Sequence, residues 1–175
     1  RRINASHFDD FLTHNWINQI DILINNAGLL INKPFLDIEY EDFLSVFEVN
    51  FYSALLITKL STPYLLRSNS AHIVNISSVG GVNDTLKFPG LSVYSSSKGA
   101  LTILSECLSE ELKETNIKVN CLALGAVQTE MLEQAFPDYK APINAKEMAI
   151  YISDFALKQH NYMNGQIVKV ALSNP

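Results

Sequence analysis

Three short apolar runs, separated by stretches long enough for helices, set the tightest limits on how this chain folds. They cover residues 20–25, 71–76 and 117–122. Near-continuous apolar sequence of this length is typical of parallel strands that are buried on both faces. Strands that alternate with helices predict a parallel sheet covered by helices on both sides. We therefore expect one α/β domain with a doubly wound parallel sheet across residues 1–175.

Apolar side chains at helical spacing fill the segments between these strands. Asn144 and Glu147 form a capping box at the start of one predicted helix. Pro63 is expected to mark a bend or a new start, because proline disrupts a helix interior. The turn at Asn164-Gly165 precedes a last strand at 166–171. The predicted helices span residues 6–17, 43–66 (one helix or two abutting ones), 92 to between 113 and 116, 130–135 and 144–157.

Composition narrows the function classes. The net charge of −5 and the absence of a Lys/Arg cluster argue against nucleic-acid binding. We expect no run long enough to span a bilayer, no signal peptide and a cytoplasmic location. Cys107 and Cys121 are expected to be structural buried thiols, with no metal site or disulfide framework.

Chemistry-bearing residues cluster after the apolar runs and at the start of the helix from Ser92. Tyr94 and Lys98 are four residues apart, so on a helix they share a face. A nearby ammonium group favours phenolate and is expected to lower the pKa of Tyr94, which would make it a general acid/base. The second apolar run ends in the hydroxyls of Ser77 and Ser78, and either serine is a candidate.

These pieces, in this order, resemble the short-chain dehydrogenase/reductase family, from about Ile20 to Val170. Several independent motifs in one order are far more specific than any of them alone. The matching marks are Asn25-Asn26-Ala27-Gly28, Val49-Asn50, Ile76-Ser77-Ser78, Tyr94-x-x-x-Lys98 and Leu124-Gly125-Ala126-Val127-Gln128-Thr129.

The resemblance implies a Rossmann-like fold and hydride transfer between NAD or NADP and a carbonyl/alcohol substrate. It implies that Tyr94 is the general acid/base, that Lys98 lowers its pKa and holds the nicotinamide ribose, and that Ser78 binds the substrate oxygen. It also implies that Asn50 sits at a helix distortion and links Lys98 to solvent through water. The implied cofactor-binding residues are Asn25, Ala27, Gly28, Tyr94, Lys98, Gly125, Val127 and Thr129.

Two departures from the family pattern affect the site. Ser78 and Tyr94 are 16 positions apart, a few more than usual, which an insertion around residues 83–88 would absorb. Leu124-Gly125 stands where the family usually has Pro-Gly, so the permissive glycine is kept and the rigid φ is lost. In the loop between Ser78 and Tyr94, the apolar residues Leu86, Phe88 and Leu91 hint at an apolar substrate. A loop that packs on its own protein is at least as good an explanation.

No glycine-rich turn precedes the first predicted helix. We therefore interpret the chain as the carboxy-terminal, catalytic portion of a Rossmann-like domain, without the first strands and the pyrophosphate-binding turn. The residues that choose NAD or NADP would lie in that region. The edge of the strand at 21–25 would then be exposed.

Three function classes follow. The first is an oxidoreductase that binds a small-molecule substrate and forms a homodimer or homotetramer through its two long helices. The second is a non-catalytic remnant that serves as a subunit or interaction module. The third, a hydrolase using Ser78 with His72, is weak, because no Gly-x-Ser-x-Gly elbow is present and a lone strand histidine is more often structural.

Overall fold

The computed structural model describes residues 5–15 and 17–172. A four-stranded, all-parallel sheet forms the centre, in the spatial order β1-β2-β3-β4. The strands are β1 (Ile22–Asn25), β2 (Ala71–Ser78), β3 (Ile117–Leu124) and β4 (Ile167–Val170). The predicted Rossmann-like α/β class is confirmed, and β2 and β3 each extend two residues beyond the predicted ends.

Helices fill the intervals between the strands, as the apolar periodicity predicts. Asn144 and Glu147 form the expected capping box at the start of α6. The predicted helix at 130–135 is confirmed with the same bounds. The α-helices are α1 (Ala5–His14), α2 (Tyr40–Phe47), α3 (Ser53–Leu65), α4 (Ser92–Glu111), α5 (Glu130–Ala135) and α6 (Ala145–Lys158).

Alternation along β2 separates the core into two layers. Ile73 belongs to a buried cluster that includes Leu65 of α3 and reaches Leu108 of α4. Val74, on the opposite face, packs in a second cluster with Phe155 of α6. Successive strand residues point to opposite faces, so α3 and α4 cover one side of the sheet and α6 covers the other.

The helices α2 and α3 form one continuous run, because the segment Glu48–Tyr52 joins them as a π-helix. Asn50 therefore lies at a local helix distortion, as the family resemblance implied. Pro63 lies inside α3, so the predicted new start there is wrong. It falls in the last turn, where the carbonyl that loses its helical partner belongs to Lys59, an exposed residue.

This run of residues 40–65 is long and apolar enough to cross a membrane by length and composition alone, which corrects the expectation from sequence. The core helix of a globular domain passes the same test. Here Asn50 and Thr58 are buried and hydrogen-bond to Ser97 and Asn25 within the domain. The run is therefore built into the α/β core.

Three further expectations need correction or qualification. The strand β1 is not buried on both faces: it pairs only with β2 among the described strands, and Ile24 is 37% exposed. Cys107 is exposed on α4, whereas Cys121 is buried in β3. Trp16, which was part of the first predicted helix, lies outside the described residues.

Candidate active site

A cavity in the described part of the chain lies where β1, β2 and β3 end. Its volume is about 270 Å³. In an open parallel sheet, the carboxyl ends of the strands are the usual place for a ligand. Its lining residues are Asn26, Gly28, Leu30, Ile76, Ser77, Ser78, Val79, Gly80, Phe88, Leu91, Tyr94, Ser95, Lys98, Leu124, Gly125, Ala126, Val127, Thr129, Met131, Leu132 and Phe136.

The two serines at the end of β2 have different surroundings. The buried Ser77 hydroxyl donates to the Lys98 carbonyl at 2.9 Å and pairs with Thr102 Oγ1 at 3.0 Å. The Ser78 hydroxyl accepts from Gly80 N at 3.2 Å and lines the cavity together with Tyr94. Ser77 therefore anchors α4 within the core, whereas Ser78, the last residue of β2, lines the cavity together with the phenol.

Electrostatics at Tyr94 differ from the expectation that Lys98 lowers its pKa. Burial raises the pKa of Tyr94, and the hydrogen bond from Ser78 opposes this only in part. The Lys98 ammonium lies 6.0 Å from the centroid of the Tyr94 ring and donates to the Ile76 carbonyl at 2.8 Å. Desolvation is the largest influence on the phenol, so it is held in its protonated form.

The buried environment of Lys98 lowers the pKa of this lysine. Burial lowers the pKa of this lysine to about 8, and the charge interaction with Cys121 acts in the opposite direction. A lysine with this pKa is still mostly charged at neutral pH. The same cavity thus holds a neutral phenol and a cationic amine that is closer to losing its proton than an ordinary lysine.

Asn50 connects the π-helix to the first turns of α4. Its Nδ2 donates to the Leu29 carbonyl at 2.9 Å and to Ser97 Oγ at 2.9 Å, while its Oδ1 accepts from Leu29 N at 2.6 Å. The Ser97 hydroxyl in turn donates to the Tyr94 carbonyl at 2.7 Å. This chain ties the turn after β1 to the backbone of Tyr94. Ser97 was not identified from the sequence, since a lone helical serine gives no such signal.

A pair of glycines sets the distance between α4 and the loop after β2. A Cβ on Gly81 would lie 2.6 Å from Gly99 N and 2.6 Å from the Lys98 carbonyl carbon. A Cβ on Gly99 would lie 3.3 Å from Gly81 O. The absence of a side chain at Gly81, and to a smaller extent at Gly99, allows this crossing, which packs the loop after β2 against α4. Neither glycine was recognised as part of the site from the sequence.

The residues predicted to bind cofactor divide into two groups. Gly28, Gly125, Val127 and Thr129 line the cavity together with Tyr94 and Lys98. Asn25 and Ala27 do not. Asn25 is buried and donates to Thr58 Oγ1 at 3.0 Å and to Asn75 Oδ1 at 2.7 Å, which joins β1 to α3 and β2. The side chain between them in the sequence, Asn26, lines the cavity instead and was missed.

Apolar side chains close the rest of the cavity. Met131, Leu132 and Phe136 come from the short helix α5 and its end, opposite Phe88 and Leu91. The α5 residues were not predicted as site residues, although their position directly after Thr129 was a usable signal. Leu86 is exposed and lines no part of this cavity.

The histidine proposed as an alternative base does not reach the cavity. His72 is buried on the α6 side of β2, where its Nδ1 lies 2.9 Å from the Ala156 carbonyl. Its Nε2 lies 3.0 Å from Asn120 Nδ2. The Asn120 amide donates to Nε2, so Nδ1 carries the proton and donates to the carbonyl. Within the described residues, no group of three His, Cys, Asp or Glu side chains is placed to hold a metal ion.

The chain is similar in sequence to several oxidoreductases. An uncharacterized oxidoreductase of Staphylococcus epidermidis is 30% identical over 161 residues, which cover 91% of this chain and 68% of that protein. The 3-oxoacyl-acyl-carrier-protein reductase of Thermotoga maritima is 33% identical over 132 residues, which cover 75% of this chain and 50% of that protein.

A solved structure of gluconate 5-dehydrogenase from Burkholderia cenocepacia, in complex with NADP and tartrate, shares the fold with a TM-score of 0.82. It is 23% identical, and the match covers 95% of this chain and 68% of that one. The profile of the short chain dehydrogenase family matches residues 8–140. The chain belongs to the short chain dehydrogenase family.

Proposed function

We propose that this chain carries the catalytic site of an NAD(P)-dependent oxidoreductase that interconverts a carbonyl compound and an alcohol. The observation that carries the proposal is the meeting of Tyr94, Ser78 and Lys98 in one cavity at the carboxyl ends of the strands. A proton donor, a hydroxyl for the substrate oxygen and a cation within one site are the groups that carbonyl reduction requires.

The cavity fits a nicotinamide cofactor on the side of Lys98. A Cβ on Gly28 would lie 3.5 Å from Lys98 Nζ and 3.7 Å from Asn50 Oδ1, so the glycine keeps the space in front of both groups open. Lys98 would hold the ribose hydroxyls, and Val127 and Thr129 would orient the carboxamide. The bound cofactor would supply or accept the hydride. The Thr129 side chain also caps α5 by accepting from Leu132 N at 3.3 Å, which ties this loop to the cavity wall.

Tyr94 would act as the proton donor in the direction of reduction. Burial favours the neutral phenol, so the proton is present when a carbonyl oxygen arrives. The Ser78 hydroxyl, which lines the cavity together with Tyr94, would hold that oxygen and stabilise the charge that develops on it. Once the proton has left, the ammonium of Lys98 would stabilise the phenolate.

Asn50 would serve the return of the proton. A carbonyl oxygen has two acceptor positions, and the N–H of Leu29 occupies one on Oδ1. The other is available for a water between Asn50 and Lys98, since both groups face the space beside Gly28. In this role Lys98 would return a proton to the Tyr94 phenolate, the water positioned by Asn50 would replace that proton on Lys98, and Asn50 itself would not touch the substrate.

The test is a cofactor-oxidation assay with simple ketones, using the complete protein as it is expressed from its gene. Tyr94→Phe should lower kcat by at least about 100-fold, the usual contribution of a positioned acid, with little change in melting temperature. Tyr162→Phe is the matched control, because Tyr162 is 83% exposed, lies outside the cavity and loses the same single hydroxyl. Most of the activity surviving in Tyr94→Phe would refute the acid/base role.

A further inference from the structure

Ser97 is a fully buried serine in the second turn of α4, and it does not line the candidate active site. Its hydroxyl donates to the Tyr94 carbonyl at 2.7 Å and accepts from Asn50 Nδ2 at 2.9 Å. A serine hydroxyl has one hydrogen to donate and two positions for accepting, so both bonds can exist together. Ser97 therefore connects the side chain of Asn50 with the turn of α4 that carries Tyr94.

The Asn50 amide depends on this connection, because Asn50 is only 1% exposed. One Nδ2 hydrogen is donated to the Leu29 carbonyl at 2.9 Å and the other to Ser97, while Oδ1 accepts from Leu29 N at 2.6 Å. A buried amide hydrogen without an acceptor is costly, so loss of the Ser97 hydroxyl would drive Asn50 to shift toward another partner. Leu29 holds the amide from the loop after β1, and Ser97 holds it from α4.

The space beside Gly28 is bounded by the same three elements. A Cβ on Gly28 would lie 3.5 Å from Lys98 Nζ and 3.7 Å from Asn50 Oδ1. Gly28 comes from the loop after β1, Asn50 from the π-helix and Lys98 from α4. The bonds between Asn50 and Leu29 join the first two elements, and the bond between Asn50 and Ser97 joins the π-helix to α4. Because Lys98 follows Ser97 directly in the sequence, this last bond also restrains the backbone of the lysine.

We propose that Ser97 is a positioning residue of the candidate active site, which ties Asn50 to α4 and so fixes the distance between Asn50 and Lys98 across the space that the returning proton crosses. Ser97 itself would touch neither substrate nor cofactor. The proposal rests on the function proposed above, because it takes Tyr94 as the proton donor and Lys98 as the group that returns its proton. It adds a residue that acts through Asn50 and the first turns of α4.

A double-mutant cycle with the complete protein as it is expressed from its gene tests the connection. Ser97→Ala should lower kcat for ketone reduction about tenfold, because a displacement of about 1 Å can cost about 100-fold. The KM for the ketone should not change, since Ser97 lies outside the cavity. In the Asn50→Ala background the same substitution should have little further effect on kcat, because the bond that it removes is already absent. Should Ser97→Ala not fold, Ser97→Cys keeps a similar shape with a much weaker acceptor, and the same pattern is expected of it.

Ser109→Ala is the matched control. Ser109 is also buried on α4, about three turns after Ser97, and its hydroxyl donates to the Glu106 carbonyl at 2.7 Å. Ser97 makes the same kind of bond, to the carbonyl three residues earlier and at the same distance. Ser109→Ala should therefore lose a similar amount of thermal stability and keep the kcat of the wild type.

Hydrogen exchange at Leu29 provides a readout that does not depend on turnover. The Leu29 amide hydrogen is held by Asn50 Oδ1, so its exchange rate, measured by nuclear magnetic resonance, reports on the position of Asn50. In Ser97→Ala this amide should exchange about tenfold faster than in the wild type, the effect expected when about one hydrogen bond is lost. In Ser109→Ala it should exchange at the wild-type rate.

The outcomes separate the two proposals. Unchanged kcat in Ser97→Ala, or an equal loss in the wild-type and Asn50→Ala backgrounds, would overturn the positioning role while the oxidoreductase assignment stands. An unchanged exchange rate at Leu29 in Ser97→Ala would overturn it as well. No turnover of any ketone by the wild-type protein would overturn the proposed function, and the positioning role with it.

Discussion

Acid should destabilise this domain through a single buried side chain, His72. The imidazole is fully buried in β2 and contacts the rings of Phe155 and His160. Burial lowers its pKa to about 4, the nearby His160 acts in the same direction, and the hydrogen bond to Ala156 opposes them. The folded state therefore keeps the imidazole neutral where the unfolded chain would bind a proton.

The sign and size follow from the difference in proton uptake. Stability is complete above the unfolded pKa of about 6.5 and falls as the pH drops toward the folded pKa, because the unfolded state then binds more protons. With a folded pKa of about 4, the loss between pH 7 and pH 5 is about 2 kcal/mol. That is a large part of the 5–15 kcal/mol typical of a domain.

Urea unfolding at pH 7 and pH 5, followed by circular dichroism, measures this loss. His72→Gln removes the titration and should lose about 2 kcal/mol less than wild type between the two pH values. His14→Gln is the control, because His14 is exposed, and it should behave as wild type. If His72→Gln is too unstable to measure, nuclear magnetic resonance of the wild-type imidazole should find the Nδ1–H tautomer unchanged at pH 5. Protonation of His72 near pH 6.5 in the folded protein would refute the reasoning.

Four further outcomes are expected. Gly81→Ala should lower the free energy of unfolding by about 2 kcal/mol through overpacking against α4, and Gly99→Ala should lower it less. Urea titrations would measure both values, and equal effects would contradict the described contact between the loop after β2 and α4. Cys107 should react with a thiol reagent in the folded protein and Cys121 only after unfolding, and early modification of Cys121 would mean that β3 is less protected than described. Light scattering at micromolar concentration should detect a dimer or tetramer formed through α3 and α4, a prediction that a strictly monomeric species would rule out. Isothermal titration of the 175-residue chain with NADH and NADPH should give weak or no binding, because its sequence contains no glycine-rich turn to receive a pyrophosphate. One-to-one micromolar binding would show that the chain does not need such a turn to hold the cofactor.

Local sequence signals predicted the elements well where a pattern and its structural cause lie in the same segment. The capping box at Asn144 depends on neighbouring residues and occurs as predicted. The turn at Asn164-Gly165 also precedes the last strand as predicted, although Asn164 Oδ1 and Gly165 N bond to the distant Val119. The failures depend on distant partners. Nothing near Pro63 in the sequence reveals that the helix would continue through it to Leu65. Whether Cys107 is buried depends on which side of α4 meets the sheet, which periodicity alone did not decide.

The sequence motifs predicted most of the residues that meet in the site, but they did not predict the contacts that these residues make. The Tyr94–Lys98 spacing correctly placed both residues on one face of α4, in one cavity. The sign of the pKa shift of Tyr94 did not follow, because it depends on burial by residues far apart in the sequence. Sequence reasoning also left Ser77 and Ser78 open, since a one-residue change in strand register exchanges the two faces.

Hydrogen bonds on the side of α4 that meets the sheet hold Lys98 and Tyr94 in position. Its buried residues include several hydroxyls, which also bond to their own helix, as Thr102 does to the Lys98 carbonyl and Ser105 to the Leu101 carbonyl. From the sheet, Ser77 donates to that same Lys98 carbonyl, and Asn75 donates to Ser105 at 2.8 Å. An apolar interface would tolerate sliding of the helix along the strand, whereas directional hydrogen bonds resist it because displacement would leave buried polar groups unpaired. The hydroxyl-rich face therefore holds the register of α4 on β2, and this register is what keeps Lys98 at the Ile76 carbonyl and Tyr94 beside Ser78.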